Sequence, residues 1–320
     1  MELSRRPLRA IFMGTPAFAV PTLDAMIAAG HDVVAVYTQP DRPKGRGQQV
    51  QFSPVKEAAV RHNLPVRQPE RIRRPENVEE LRSDAVDVMV VVGYGQIIPQ
   101  AIIDLPRHGI VNVHASLLPK YRGAAPIQWA VANGETVTGV TTMLINSGLD
   151  TGDMLLKAET PVGPEETALD ISPRLAADGA RLLLETLARM EAGTLVRIPQ
   201  NDAEATLAPI LKKEDGRIDW TWPASEIANR CRGFLPWPGT WTTFREQMLH
   251  IWRAKPANDI SLGISGSVQF AGRRMLVACG GGTALEIEEL QLEGRKRVNA
   301  EAFRNGQRLT QTEKLGENIN

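Results

Sequence analysis

Four nearly continuous apolar runs of strand length constrain this chain more than any other feature. They are Leu8–Met13 (LRAIFM), Val33–Thr38 (VVAVYT), Val88–Val92 (VMVVV) and Ile110–Val113 (IVNV). The stretches between them, such as Pro16–Ala29 and Ser53–Asn63, carry helical spacing, with Phe18, Leu23, Met26 and Ile27 on one face of the first. A strand apolar on both sides must be covered on both sides. Alternation with helices therefore predicts an α/β fold with a doubly wound, mostly parallel sheet. Thr138–Ile145 reads as a further strand. Thr167–Ala192 reads as a long helix with Thr167 as N-cap and Asp170 three residues on, and Pro173 predicts a kink or a later start.

The pattern changes after about Thr194. Ile198–Leu211 lacks clean periodicity and reads as a linker. Beyond it Trp, Pro and Gly cluster, and short alternating runs follow at Met248–Arg253, Ser267–Phe270, Met275–Ala278 and Ala284–Leu290. Turn signals such as Gly280-Gly281-Gly282 between them predict a small β-barrel or sandwich. The expected division is residues 1–195, a linker over 196–210, and 211–320. A length of 320 residues suits two domains, and 42% hydrophobic content suffices for their cores.

Bulk properties exclude several function classes. No apolar run approaches 20 residues and no signal-peptide pattern opens the chain, so no membrane span is expected and a cytoplasmic location is. Cys231 and Cys279 form no CxxC pair, which fits a reducing compartment. The five histidines are scattered without metal-ligand spacing, so no metal is expected. Formal net charge is zero, yet from Leu207 onward 16 Lys+Arg stand against 13 Asp+Glu. That surplus is only weak support for a nucleic-acid partner.

Chemistry has to sit at the carboxyl ends of the predicted strands, where open α/β sheets bind ligands. The first such junction, Gly14-Thr15-Pro16-Ala17, has one glycine of the GxGxxG fingerprint, which disfavours a dinucleotide. No GxxxxGK[ST] is present either. The fourth junction is more informative. Asn112 and His114 lie at positions i and i+2 of an apolar strand and so share a face. A lone His there is usually structural. An amide oxyanion donor beside an imidazole proton carrier suits acyl transfer instead. Asp150, glycine-flanked in SGLDTGD after the next strand, is either a turn former or a third group reaching the same rim. The loop TQPDRPKGRGQ places Arg42, Lys44 and Arg46 on that rim. Such a loop either follows a phosphate backbone or is simply solvated.

Together, FMGTPAFAV, TQPDRPKGRG with the later SPVK, VVGYGQIIP, NVHASLLPKYRGAAPIQWA, SGLDTGDML, IDW and FLPWPGTW resemble the methionyl-tRNA formyltransferase family over nearly the whole chain. The resemblance implies a Rossmann-like catalytic domain that binds 10-formyltetrahydrofolate, followed by an OB-like barrel that binds tRNA. It implies formyl transfer to the α-amino group of methionine on initiator methionyl-tRNA, by a monomer. The family's catalytic Asn, His and Asp fall on Asn112, His114 and Asp150. Its folate-contacting residues fall on Ser116, Leu117, Leu118 and Pro119, with further lining from Tyr94, Gly95, Gln96, Ile97 and Ile98. Its tRNA loop falls on Arg42, Lys44 and Arg46. In the second domain, Arg273, Arg274, Arg295, Lys296 and Arg297 are the cations expected near phosphates. A glycinamide ribonucleotide formyltransferase needs no second domain, and the basic loop disfavours a sugar-nucleotide formyltransferase. An RNA-binding module with a degenerate catalytic domain would not need the intact triad.

Overall fold

The computed structural model describes residues 7–44, 49–257, 263–310 and 313–317. Contacts divide the chain into two compact units. The first comprises residues 1–126, 137–161 and 172–209; the second comprises 127–136, 162–171 and 210–320.

In chain order the first part runs β1 (Arg9–Gly14), α1 (Val20–Ala28), β2 (Asp32–Tyr37), β3 (Arg42–Lys44), β4 (Gln49–Gln51), α2 (Pro54–Arg61), β5 (Val66–Arg67), α3 (Pro75–Ser83), β6 (Val88–Val92), α4 (Gln100–Ile103) and β7 (Ile110–His114). There follow β8 (Arg122–Gly123), α5 (Pro126–Ala132), β9 (Val137–Leu144), β10 (Met154–Pro161), α6 (Ala168–Glu191) and β11 (Leu207–Ala208). Seven strands form one sheet in the order β10-β9-β7-β6-β1-β2-β5. β5, β2, β1, β6 and β7 are mutually parallel, and β9 runs antiparallel to β7. The order reverses at β1, which opens the crevice typical of doubly wound sheets.

The central parallel strands are mostly apolar because each face is covered. Ala10, Phe12, Val90, Val111 and Val113 enter one core cluster, while Ile11, Met13, Met89, Val91 and Ile110 enter another. Helix starts follow from local chemistry. Ser53 caps α2 by accepting the Lys56 N–H at 3.0 Å, with Pro54 next in the chain. Thr167 and Asp170 exchange hydrogen bonds before α6, a capping box. α6 runs unbroken through Pro173 rather than starting beyond it, so the proline falls inside the helix.

The second unit holds α7 (Ala224–Gly233), β12 (Thr240–Phe244), β13 (Gln247–Ala257), β14 (Val268–Ala271), β15 (Arg274–Ala278), β16 (Ala284–Leu292), β17 (Val298–Asn299) and α8 (Ala300–Gln307). Its strands form an antiparallel sheet, β12-β13-β16-β15-β14, with β17 added on β16. Residues 313–317 join the two edges. Leu315 donates to the Gly266 carbonyl before β14, and Gly316 donates to Thr243 of β12. The sheet thus curls around one core that includes Trp220, Ile227, Phe244, Val277 and Leu290. No helix among the described residues is long and apolar enough to cross a membrane.

Candidate active site

β7 carries Asn112 and His114 on the face shared with Ile110, opposite Val111 and Val113. Both side chains are buried at the carboxyl end of the strand. β9 pairs His114 with Thr141 and Asn112 with Met143, then returns the chain through the loop that holds Asp150. The three predicted residues do meet. The Asn112 amide donates to one Asp150 oxygen at 3.4 Å, and His114 Nδ1 lies 3.7 Å from the other. The imidazole is 6% exposed and the carboxylate 17%.

Main-chain groups fix this arrangement. His114 Nε2 lies 2.9 Å from the Tyr121 carbonyl. A carbonyl only accepts, so Nε2 carries the proton, and Nδ1 is the nitrogen that faces Asp150. The Gly123 N–H donates to the Asp150 carboxylate at 2.9 Å. Tyr121 (φ 62°) and Asp150 (φ 52°) are both left-handed, an uncommon state for non-glycine residues. Left-handed backbone in two such residues, one giving the carbonyl and the other the carboxylate, marks a site held by its surroundings.

The loop after His114 folds inward. Thr141 Oγ1 accepts the Leu118 N–H and donates to the Ser116 carbonyl at 2.7 Å, and Ser116 Oγ donates to the Lys120 carbonyl at 2.6 Å. Leu118 is fully buried against Met143 and Met154, and Leu117 packs over Gly139. The Ser116, Leu118 and Pro119 side chains are therefore turned into the fold. Of the second predicted lining, Tyr94 and Ile98 are core residues. The Gln96 amide is engaged with Ile72 N–H and the Pro69 carbonyl. Gly95 and Ile97 are exposed, and Ile97 at 90% is an apolar side chain set on the rim. The Tyr94 carbonyl is held by Thr15 Oγ1 and Gln39 Nε2, each at 3.0 Å.

Arg42 is exposed on the β3–β4 hairpin; Arg46 and the Lys44 side chain lie outside the described residues. The hairpin's stem is anchored by Asp41, which pairs with Lys56 of the SPVK stretch and accepts from Gln68 at 2.9 Å. Burial opposes ionisation of Asp41, but the Lys56 and Gln68 hydrogen bonds hold its carboxyl below the usual range. Lys56 is thus an anchor for the loop. In the second unit, Arg273, Arg274 and Arg297 pair with Glu301, Glu286 and Glu289, while Arg295 and Lys296 are exposed between β16 and β17. No cluster of three or more His, Cys, Asp or Glu side chains that could hold a metal occurs among the described residues.

The stretch read as a linker, 196–210, is not a free tether. Ile198 bridges to Met154, Leu207 and Ala208 pair with Arg122 and Gly123, and Thr206 accepts the Tyr121 N–H at 2.9 Å. Gln200 bonds the Asp150 loop directly. Sequence reasoning missed these groups because a two-residue ladder has no period to detect.

Comparison with known proteins agrees with this geometry. The profile described as "Formyl transferase" matches residues 8–187, and "Formyl transferase, C-terminal domain" matches residues 210–308. The chain is 62% identical to the methionyl-tRNA formyltransferase of Solibacter usitatus over 310 residues, 97% of this chain and 99% of that one. It is 51% identical to the enzyme of the same name from Geobacter sulfurreducens, across 97% of both. The chain belongs to the methionyl-tRNA formyltransferase family. It is accordingly a formyltransferase, and its fold recurs beyond the family. An N-formyltransferase from Helicobacter canadensis, solved with folinic acid and dTDP-3-aminofucose, is 18% identical with a TM-score of 0.67, covering 88% of this chain and 98% of that one. Glycinamide ribonucleotide transformylase 1 from Symbiobacterium toebii, 20% identical with a TM-score of 0.51, is covered over 99% of its length by 63% of this chain. At such identities the likeness is one of fold.

Proposed function

We propose that this chain transfers the formyl group of 10-formyltetrahydrofolate to the α-amino group of methionine on initiator methionyl-tRNA, with Asn112, His114 and Asp150 as the reacting groups. The observation that carries this is the convergence of an amide, an imidazole and a carboxylate within 3.4 and 3.7 Å at one strand end.

Each group has one task. As the amine bonds to the formyl carbon, negative charge develops on the formyl oxygen. Asn112 directs its second amide proton there; its first is used on Asp150. His114, with Nε2 committed to Tyr121, offers a proton from Nδ1 to the same oxygen. Asp150 stabilises the imidazolium across the 3.7 Å gap and relays the amine's proton, directly or through one water, to the leaving nitrogen. The carbon–nitrogen bond of the donor then breaks with its electron pair left on that nitrogen. The balance is formyl to the amine and one proton to tetrahydrofolate. No protein nucleophile takes part.

The donor's fused ring rests against Ile97 and the exposed backbone at Gly95, and the Ser116–Pro119 loop contributes through Leu117, its one part-exposed residue. Residues 1–195 perform the chemistry. Arg42, Lys44 and Arg46 contact the tRNA, and residues 211–320 help hold it. The protein works as a monomer in the cytoplasm.

The test is incubation with 10-formyltetrahydrofolate and charged initiator tRNA, followed by mass analysis of the aminoacyl group. His114→Ala should lower turnover by roughly two to four orders of magnitude. Near-normal turnover by that variant would remove His114 from the reaction.

A further inference from the structure

We propose that Gln200 is a positioning residue for Asp150, holding the strained turn that aims its carboxylate at His114 and Asn112. The inference rests on the reading above, in which Asp150 acts on His114.

Asp150 is left-handed at φ 52° and so needs external support. Its carboxylate is oriented by the Gly123 N–H at 2.9 Å. Its main chain is oriented by Gln200, whose Nε2 donates to the Asp150 carbonyl at 2.7 Å and to the Gly152 carbonyl at 2.8 Å. The other end of the amide is also used: Oε1 accepts from Arg122 Nε at 3.0 Å. Arg122 is itself buried and held by Asp202 at 2.8 Å.

Two donors on one atom and an acceptor on the other match these partners in full. No other side chain of that length supplies both. The amide also joins the two loops that make the site. Arg122 precedes Gly123, whose N–H holds the carboxylate; Tyr121, before it, fixes His114. Gln200 is in turn fixed two residues after Ile198, which exchanges hydrogen bonds with Met154 at 2.9 Å in both directions. The Asp150 loop is therefore pinned at its tip by Gln200 and at its base by the strand bridge.

Replacement by Glu separates positioning from mere stability. Gln200→Glu keeps an acceptor for Arg122, now as an ion pair, but presents a carboxylate to two carbonyls. It should keep the fold and lose the turn. The experiment measures kcat and both KM values for formyl transfer in wild type, Gln200→Ala, Gln200→Glu, Asp150→Asn and the Gln200→Glu/Asp150→Asn double variant, with thermal unfolding alongside. Both Gln200 variants should lower kcat by roughly 10- to 100-fold with little change in either KM, as for a displaced reacting group. In the Asp150→Asn background, Gln200→Glu should cost less than about threefold more, because the group it positions is already gone. If Gln200→Ala unfolds, Gln200→Glu carries the test through its retained Arg122 contact. A folded Gln200→Glu enzyme with kcat within about threefold of wild type, or losses that multiply in the double variant, overturns the inference and leaves the role of Asp150 standing. An Asp150→Asn enzyme with full kcat overturns the underlying reading and the inference with it.

Discussion

Asp150→Asn isolates charge from shape. Asparagine keeps the size of the side chain and an oxygen to accept the Gly123 N–H, so the turn should persist. What disappears is the negative charge 3.7 Å from His114 Nδ1, together with the second oxygen, which accepts the Asn112 amide at 3.4 Å. Coulomb's relation, 332/(εr) with an effective ε of about 20, gives about 4.5 kcal/mol for a unit pair at 3.7 Å. That is an upper bound, since the carboxylate is 17% exposed and partly screened by water. Retaining about two-thirds of it gives about 3 kcal/mol of lost transition-state stabilisation. At about 1.4 kcal/mol per decade this is a fall in kcat of roughly a hundredfold or more. Substrate contacts are not removed, so both KM values should change little. The assay is initial-rate formylation of methionyl-tRNA at saturating donor, with the folded state checked by circular dichroism. A folded variant with kcat within tenfold of wild type would show that the charge does not act on His114, and the electrostatic argument would fail.

Gly152→Ala places a Cβ 1.8 Å from the Leu144 carbonyl oxygen, so the Asp150 loop must shift; kcat should fall by roughly a hundredfold, and an unaffected kcat would show that the loop tolerates displacement. Leu118→Ala empties a buried site beside Met143 and Met154 and should cost about 2–5 kcal/mol in urea unfolding, whereas a cost below about 1 kcal/mol would place that side chain outside the core. Arg42→Ala should raise KM for methionyl-tRNA more than KM for the folate donor; equal changes would remove it from the tRNA contact. Burial pushes the Cys231 thiol up to about 11 and the Cys279 thiol up to about 12, so both stay neutral at pH 8. A disulfide thiol reagent should leave both untouched until denaturant is added, and prompt reaction of either would contradict its burial.

The parallel core was legible because covering both faces leaves no room for polar residues, so each strand is a run of Val, Ile and Met. Asn112 and His114 stand out against that background for the same reason. From its own neighbours Asp150 was legible either as a turn former or as a third group reaching the rim, and the family resemblance alone chose between them. Its φ of 52° and its approach to His114 depend on partners that local sequence does not contain. Leu118 illustrates a different limit. An apolar residue on a loop after a catalytic His has the same letter whether it faces a ligand or the core, and here it faces the core. Lys56 is similar: nothing in SPVK names its partner, and the fold gives its charge to Asp41. In the second unit the long strands were visible, but β12, α7 and α8, of 5, 10 and 8 residues, were not.

What remained illegible shares one physical cause. The groups that fix His114 and Asp150 are mostly peptide groups, the Tyr121 carbonyl on His114 and the Gly123 N–H on Asp150, and Gln200 too meets peptide groups, the Asp150 and Gly152 carbonyls. Every residue except proline has an N–H and all have a carbonyl, so no pattern of side chains announces which will be used. Only the fold decides, by running residues 206–208 beside residues 121–125. A peptide group also suits the task. It cannot titrate near neutral pH, has no rotamers to lose, and keeps its dipole aimed. A side chain is needed only where two carbonyls must be drawn together and a guanidinium bound behind them. Gln200 stands at that point, in the stretch of chain that sequence periodicity marked as the least structured.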